Sequence, residues 1–163
     1  MSKKVVILHG HIFKNAGTTF DWSLRRAFDD GFVAHSLDAE MRAEGEQCLH
    51  QHLQSDANIK AISSHHMRFP QSETNGIMFI PIVLLRHPIE RIGSVYDFER
   101  QQDATNLGAR KAKELSFSDY IRWRMEADAP SVIRDYQVRY CAGLTGATRA
   151  LRDDEYQIGR AHV

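Results

Sequence analysis

The chain has 163 residues, 42% of them hydrophobic, which is enough for a packed core and too apolar for general disorder. Its formal net charge at pH 7 is zero, which excludes broad electrostatic binding to nucleic acid or to an anionic membrane and leaves room for a local basic pocket. Cys48 and Cys141 fit no metal-ligand spacing and read as buried thiols in a reducing compartment. No apolar run approaches membrane-spanning length, and Lys3-Lys4 before the short run Val5 to Leu8 makes no secretory signal, so a cytoplasmic chain without membrane insertion is expected.

Lys3 to His11 reads as a first strand, built on the apolar run Val5-Val6-Ile7-Leu8. Thr18 to Asp29 reads as a helix with Phe20, Leu24, Ala27 and Phe28 along one face, and Gly31 punctuates its exit. Asp38 to Gln54 predicts a weaker helix, with Leu37, Met41, Cys48, Leu49 and Leu53 as apolar positions, His50 and His52 on a solvated face, and Gly45 in its middle. Ile59 to Ser64 is a second short strand, and the loop after it has Pro70, Ser72, Asn75 and Gly76 as turn formers. Ile77 to Leu85 is apolar apart from Pro81. Such a run fits a strand covered on both faces, with the proline at a bulge or a strand end.

Pro88 to Gln102 places Ile89, Ile92, Val95, Tyr96 and Phe98 near helical spacing behind a proline suited to the first turn. Asp103 to Lys113 reads as an exposed loop. Ser116 with Asp119 three residues on marks another helix start, with Phe117, Tyr120, Ile121 and Met125 on its apolar face. Pro130 interrupts, and Ser131 to Ala142 predicts a last helix ended by Gly143. Strands alternating with helices, with no internal repeat, argue for a layered α/β domain with a mainly parallel sheet. Ligands of such sheets bind beyond the carboxyl ends of the strands.

One such end carries His11-Ile12-Phe13-Lys14-Asn15-Ala16-Gly17-Thr18-Thr19-Phe20, a strand running through a tight turn into a helix. Backbone N–H groups and the positive end of the helix dipole favour an anion there, and Lys14 adds a full charge. Gly17 lets backbone come close, and Thr18 and Thr19 offer hydroxyls or a helix cap. The triphosphate motif G-x-x-x-x-G-K-[ST] is absent, because the lysine precedes the glycine.

The segment resembles the 5′-phosphosulfate loop of sulfotransferases, which in the carbohydrate branch reads close to H-I-P-K-T-A/G-G-T-[ST]. His11, Ile12, Lys14, Ala16, Gly17, Thr18 and Thr19 match, while Phe13 replaces a proline and Asn15 a threonine. Arg86-His87-Pro88-Ile89-Glu90-Arg91-Ile92-Gly93-Ser94-Val95-Tyr96 resembles the family's 3′-phosphate segment, R-[DH]-P-[VI]-x-R-x-x-S-x-[YF], with His87 at a position where aspartate is commoner. Arg86 and Ser94 are the phosphate contacts that this implies, since an arginine fork suits a phosphate, whereas Arg91 is expected to brace the turn or to pair with Glu90 or Glu99.

The resemblance implies a P-loop-like three-layer α/β domain with a mainly parallel sheet flanked by helices. It implies 3′-phosphoadenosine 5′-phosphosulfate as donor, bound by Lys14, Asn15, Ala16, Gly17, Thr18, Thr19, Arg86 and Ser94, and a hydroxyl acceptor, with a glycan as the expected class. No metal is required for such a transfer. Lys14 would stabilise the oxygen that leaves with the nucleotide. Among nine histidines, Ser63-Ser64-His65-His66-Met67-Arg68-Phe69 is similar to the family's G-H-x-x-[FY] segment, which favours His66 over His65 as general base. His9 and His11 are expected to orient the loop or to pack beneath it. Tyr136 to Gly143 resembles a further family segment, in which Gln137 and Arg139 either support the donor pocket or pack a helix.

The resemblance spans residues 4 to 150 and covers the front of the family's domain, close to that of its soluble bacterial members. Residues 1–156 are therefore expected to form one incomplete domain, and Gln157 to Val163 reads as a non-family tail of adapter read-through. Two other readings stay open: a nucleotide-binding remnant without activity, and a P-loop nucleotide kinase. The acceptor and the oligomeric state are not fixed by sequence.

Overall fold

A computed structural model of the chain describes residues 3–69, 73–74 and 76–143. The turn formers Pro70, Ser72 and Asn75 and the tail 157–163 lie outside the described residues. The chain divides into two compact units, the second beginning at Leu85.

The first unit holds the whole sheet. Strand β1 (Lys4–Gly10) is central, with β3 (Ala61–Ser64) parallel to it on one side and β5 (Ile77–Val83) parallel on the other. β2 (Phe32–Ala34) adds in parallel outside β3, and the two-residue β4 (Glu73–Thr74) adds antiparallel outside β5, giving the order β2-β3-β1-β5-β4. This is the expected α/β architecture, a mainly parallel sheet flanked by helices. Helix α1 (Gly17–Phe28) covers one face, where Leu24 packs with Phe32, Ala61 and the partly buried Ile7. On the other face, where Val6 and Phe79 are register partners, the ring of His50 in α3 (Glu46–Ser55) meets Phe79 edge-on.

Several expectations change in detail. The predicted helix over 38–54 is two helices, α2 (Asp38–Glu44) and α3, because Gly45 takes φ 61 and turns the chain between them. His50 is half-buried rather than solvated, as is His52. In α1 the inner face is Gly17, Asp21 and Leu24, while Ala27 is exposed. Strand β2 follows a single 3-10 turn (Asp29–Gly31) where the sequence shows only a glycine stop. The strand β5 is not covered on both faces: Met78 and Ile80 are 40% and 42% exposed. Pro81 lies beyond the reach of β4, which pairs only Ile77 and Met78, so the proline sits where the sheet's edge is open among the described residues.

The second unit is helical: α4 (Pro88–Gln101), α5 (Leu107–Glu114), α6 (Phe117–Arg124) and α7 (Tyr136–Cys141). Tyr96, Ala112 and Tyr120 form its core with Leu115 and Trp123. α6 starts as expected, since the Ser116 hydroxyl accepts from the Asp119 amide at 3.3 Å. The expected loop 103–113 is instead largely α5, capped by Asn106, whose side chain accepts from the Ala109 amide at 2.8 Å. The last predicted helix shrinks to α7, because the chain over 130–135 turns and Asp135 takes φ 53. Cys48 and Cys141 are both buried free thiols. No helix among the described residues is long and apolar enough to cross a membrane.

Candidate functional site

β1 lies at the point where the connections change direction: β2 and β3 build out to one side of it and β5 returns on the other. Crevices of parallel sheets open beyond the carboxyl end of such a strand. The segment from His11 to Ala16 occupies that end and leads straight into α1. Its turn is closed by the Ile12 amide donating to Gly10 O at 3.0 Å and the Asn15 amide donating to Ile12 O at 3.2 Å. Lys14 and Ala16 both adopt left-handed backbone, at φ 64 and 61, which costs residues with a Cβ on the order of 1 kcal/mol each. Left-handed residues in such a turn supply one half of the backbone alternation that forms anion-binding nests. No side chain caps α1 and no acid stands in its first turn, so its positive end is not neutralised locally.

The predicted donor-binding residues of this loop divide by environment. Ala16, Thr18 and Thr19 are exposed, Lys14 is half-buried, and Gly17 is buried at the start of α1. A Cβ on Gly17 would run into the His11 imidazole, so the glycine is required by close packing. Asn15 is only 3% exposed, and its Nδ2 donates to Leu84 O at 2.7 Å. It braces the loop against the end of β5. Thr18 and Thr19 do not cap the helix.

In the second unit, Arg86 and Ser94 stand on either side of the start of α4, Arg86 exposed and Ser94 half-buried. Gln137 grips the Arg86 backbone with both ends of its amide: Oε1 accepts from Arg86 N and Nε2 donates to Arg86 O, each at 3.0 Å. Arg86 Nε also lies 3.6 Å from Glu90. Of the two roles expected of Arg91, bracing fits its contacts, whereas Glu90 and Glu99 face Arg86 and Arg124 instead. Arg91 is buried, donates from Nη1 to Val132 O at 2.9 Å, and stacks on Tyr136 at 4.6 Å. Glu99 is taken by Arg124, whose Nη2 reaches its two oxygens at 2.5 and 2.6 Å. Arg139 is buried.

The two candidate bases differ. His65 Nδ1 donates to His11 O at 2.9 Å, and its ring lies among other histidines. Burial lowers its pKa, as it does for His66. The backbone amide of His66 donates to Ser64 Oγ at 3.0 Å, while its half-buried ring makes no hydrogen bond to the described residues. Of the two, the ring with no hydrogen bond to the described residues is the more available proton acceptor.

Beneath the loop lies a cluster that the sequence reading only touched. Asp21 Oδ1 contacts His9 Nδ1 at 2.8 Å, and its Oδ2 contacts His11 Nδ1 and His35 Nε2, both at 2.9 Å. Burial alone would raise the Asp21 carboxyl, but hydrogen bonds from His11, His35, His9 and Ser63 outweigh it and hold the pKa well below the usual range. His35 also contacts Asp38 at 3.3 Å, and Asp38 in turn accepts from Ser64 Oγ at 2.5 Å and from the His65 amide at 3.0 Å. His9 and His11 do pack beneath the loop as expected. Asp21, His35 and Asp38 were missed because they come from three separate elements with no motif spacing. The legible signal was the helical period, which puts Asp21 on the same inner face as Gly17 and Leu24.

No protein-family model matches the chain, and no solved structure matches it. It is 35% identical over 126 residues to an uncharacterized protein of Archaeoglobus fulgidus. The match takes in 75% of this chain and 50% of that protein, so the chain spans about half the length of the relative it matches.

Proposed function

We propose that the chain is a sulfotransferase, or its donor-binding part, that moves a sulfuryl group from 3′-phosphoadenosine 5′-phosphosulfate to an acceptor hydroxyl, with a carbohydrate as the acceptor class. The observation that carries this reading is the loop His11–Ala16: a strained, uncapped turn holding Lys14, set at the carboxyl end of the central strand and the amino end of α1. It suits the 5′-phosphosulfate. Arg86 and Ser94 are proposed to take the 3′-phosphate. That part rests on their motif, and on the Gln137 clamp that fixes the Arg86 backbone within its own unit.

In the proposed reaction the acceptor oxygen attacks sulfur while the bond from sulfur to the bridging oxygen breaks. His66 takes the hydroxyl proton, and 3′-phosphoadenosine 5′-phosphate leaves with its new negative charge facing Lys14. Every step uses positioned cations and a base, and none requires a metal.

Titration calorimetry with 3′-phosphoadenosine 5′-phosphate, with and without magnesium, tests donor binding. Binding without magnesium, lost in Lys14→Ala, is the expected result; a requirement for magnesium and ATP instead would make the protein a kinase. Sulfate transfer to a panel of glycans then tests the chemistry. A drop of about 100-fold or more is expected in Lys14→Ala and in His66→Ala. Nucleotide binding with no transfer to any acceptor would leave a binding remnant.

A further inference from the structure

His11 Nδ1, His35 Nε2 and Asp21 Oδ2 form a nearly equilateral triangle, with edges of 2.9, 2.9 and 3.0 Å. With Asp21 ionised, no arrangement of protons on the two rings satisfies all three edges. An ionised Asp21 brings none, and each nitrogen brings at most one. If both nitrogens are protonated, two N–H groups face each other across 3.0 Å. If only one is, the other nitrogen turns a lone pair toward the carboxylate at 2.9 Å. If neither is, every edge sets lone pair against lone pair. One cation at the apex of the triangle removes the conflict on all three edges at once.

From this geometry we infer a binding site for a divalent first-row transition metal, held by His11 Nδ1, His35 Nε2 and Asp21 Oδ2. At metal–ligand distances of about 2.1 Å, three ligands on one octahedral face stand about 3.0 Å apart, whereas tetrahedral ligands stand about 3.4 Å apart. The triangle therefore has the facial form of two histidines and one carboxylate, and three positions remain for water or a further ligand. The surroundings are those of a metal site. His35 Nδ1 faces Asp38 at 3.3 Å, which directs its Nε2 lone pair inward. His65 Nδ1 donates to His11 O, which leaves its Nε2 unprotonated, and ligand atoms of His11, His35 and His65 lie within 4.8 Å of one another. The His35 side chain is 30% exposed and gives an entry path. The ion would tie the start of the loop, α1 and the end of β2 together. It takes no part in the transfer proposed above, and its binding is read without nucleotide.

The test uses the full chain, stripped with a chelator and titrated with Zn2+ and with Co2+. One equivalent of Zn2+ is expected to bind at micromolar or lower Kd and to raise Tm. Co2+ should show the weak visible bands of five or six coordination. His35→Ala should weaken binding at least 100-fold, and Asp38→Asn by about 10- to 100-fold through loss of the outer partner. His50→Ala should change nothing. Circular dichroism checks that each variant is folded, and His35, at the partly exposed end of an edge strand, is the position least able to abolish folding. Failure of the wild-type chain to bind one equivalent, or a folded His35→Ala protein that binds within threefold of wild type, overturns the site.

Discussion

His66 is singled out by how little holds it. His9, His11, His35 and His65 all have ring contacts within the cluster around Asp21, whereas the His66 ring has no hydrogen bond to the described residues. Burial is the main cause that lowers its pKa; Arg42 and Arg68 push the same way and Asp38 opposes them. A lowered value keeps the imidazole neutral at pH values where an ordinary histidine, with a pKa near ~6.5, is half protonated. The acidic limb of kcat/KM for sulfate transfer should therefore fall below pH ~6.5. An acidic limb clearly above that value would remove His66 from the role of base.

At the scale of elements, α5 shows where propensity and packing disagree. Gly108 sits in its first turn, and a Cβ there would meet the Arg124 guanidinium and the Glu99 carboxylate. Those two groups are nearly buried, and Arg124 also donates from Nε to Tyr120 Oη at 2.9 Å and from Nη1 to Pro130 O at 3.1 Å. Alanine is favoured over glycine in a helix by ~1 kcal/mol. Gly108→Ala is nevertheless expected to destabilise, by about 1–3 kcal/mol, because pushing apart a buried ion pair outweighs the propensity gain. A higher denaturation midpoint for Gly108→Ala would show that the pair gives way freely. The inner face of the same helix is Gly108, Ala109 and Ala112, too small to register as an apolar stripe, so its sequence reads as a loop. β1 and β5 are legible from their Val, Ile and Leu runs, α4 from its leading proline, and α1 from Phe20, Leu24 and Phe28 at helical spacing, all without tertiary context. β2 and β4 are not, since at three and two residues they exist only by pairing with β3 and β5. The loop at Lys14 could be read from its residue types. The triangle under it could not, because His11, Asp21 and His35 meet only after three elements have packed.

Over the whole molecule, each unit holds one cysteine in its interior: Cys48 in the first, 1% exposed, and Cys141 in the second, 8% exposed. Burial raises both thiols, and Glu40 and Glu44 raise Cys48 further. Thiolate is the species that reacts with a disulfide reagent, so both residues are doubly protected, by access and by ionisation. Neither should react within minutes in the native chain at pH 8, and two thiols per chain should titrate once it is denatured. Protection then becomes a local gauge, because buried groups react through openings of the element that covers them. In Cys141→Ala the remaining thiol reports on the sheet-bearing unit, through the packing of α3, and in Cys48→Ala it reports on the helical unit, through α7. α7 has six residues and α3 has ten, so fewer helical hydrogen bonds hold Cys141 in place. Cys141 is expected to label first as denaturant rises. Labelling of Cys48 at a lower denaturant concentration than Cys141 would reverse that order and would make the sheet-bearing unit the weaker of the two.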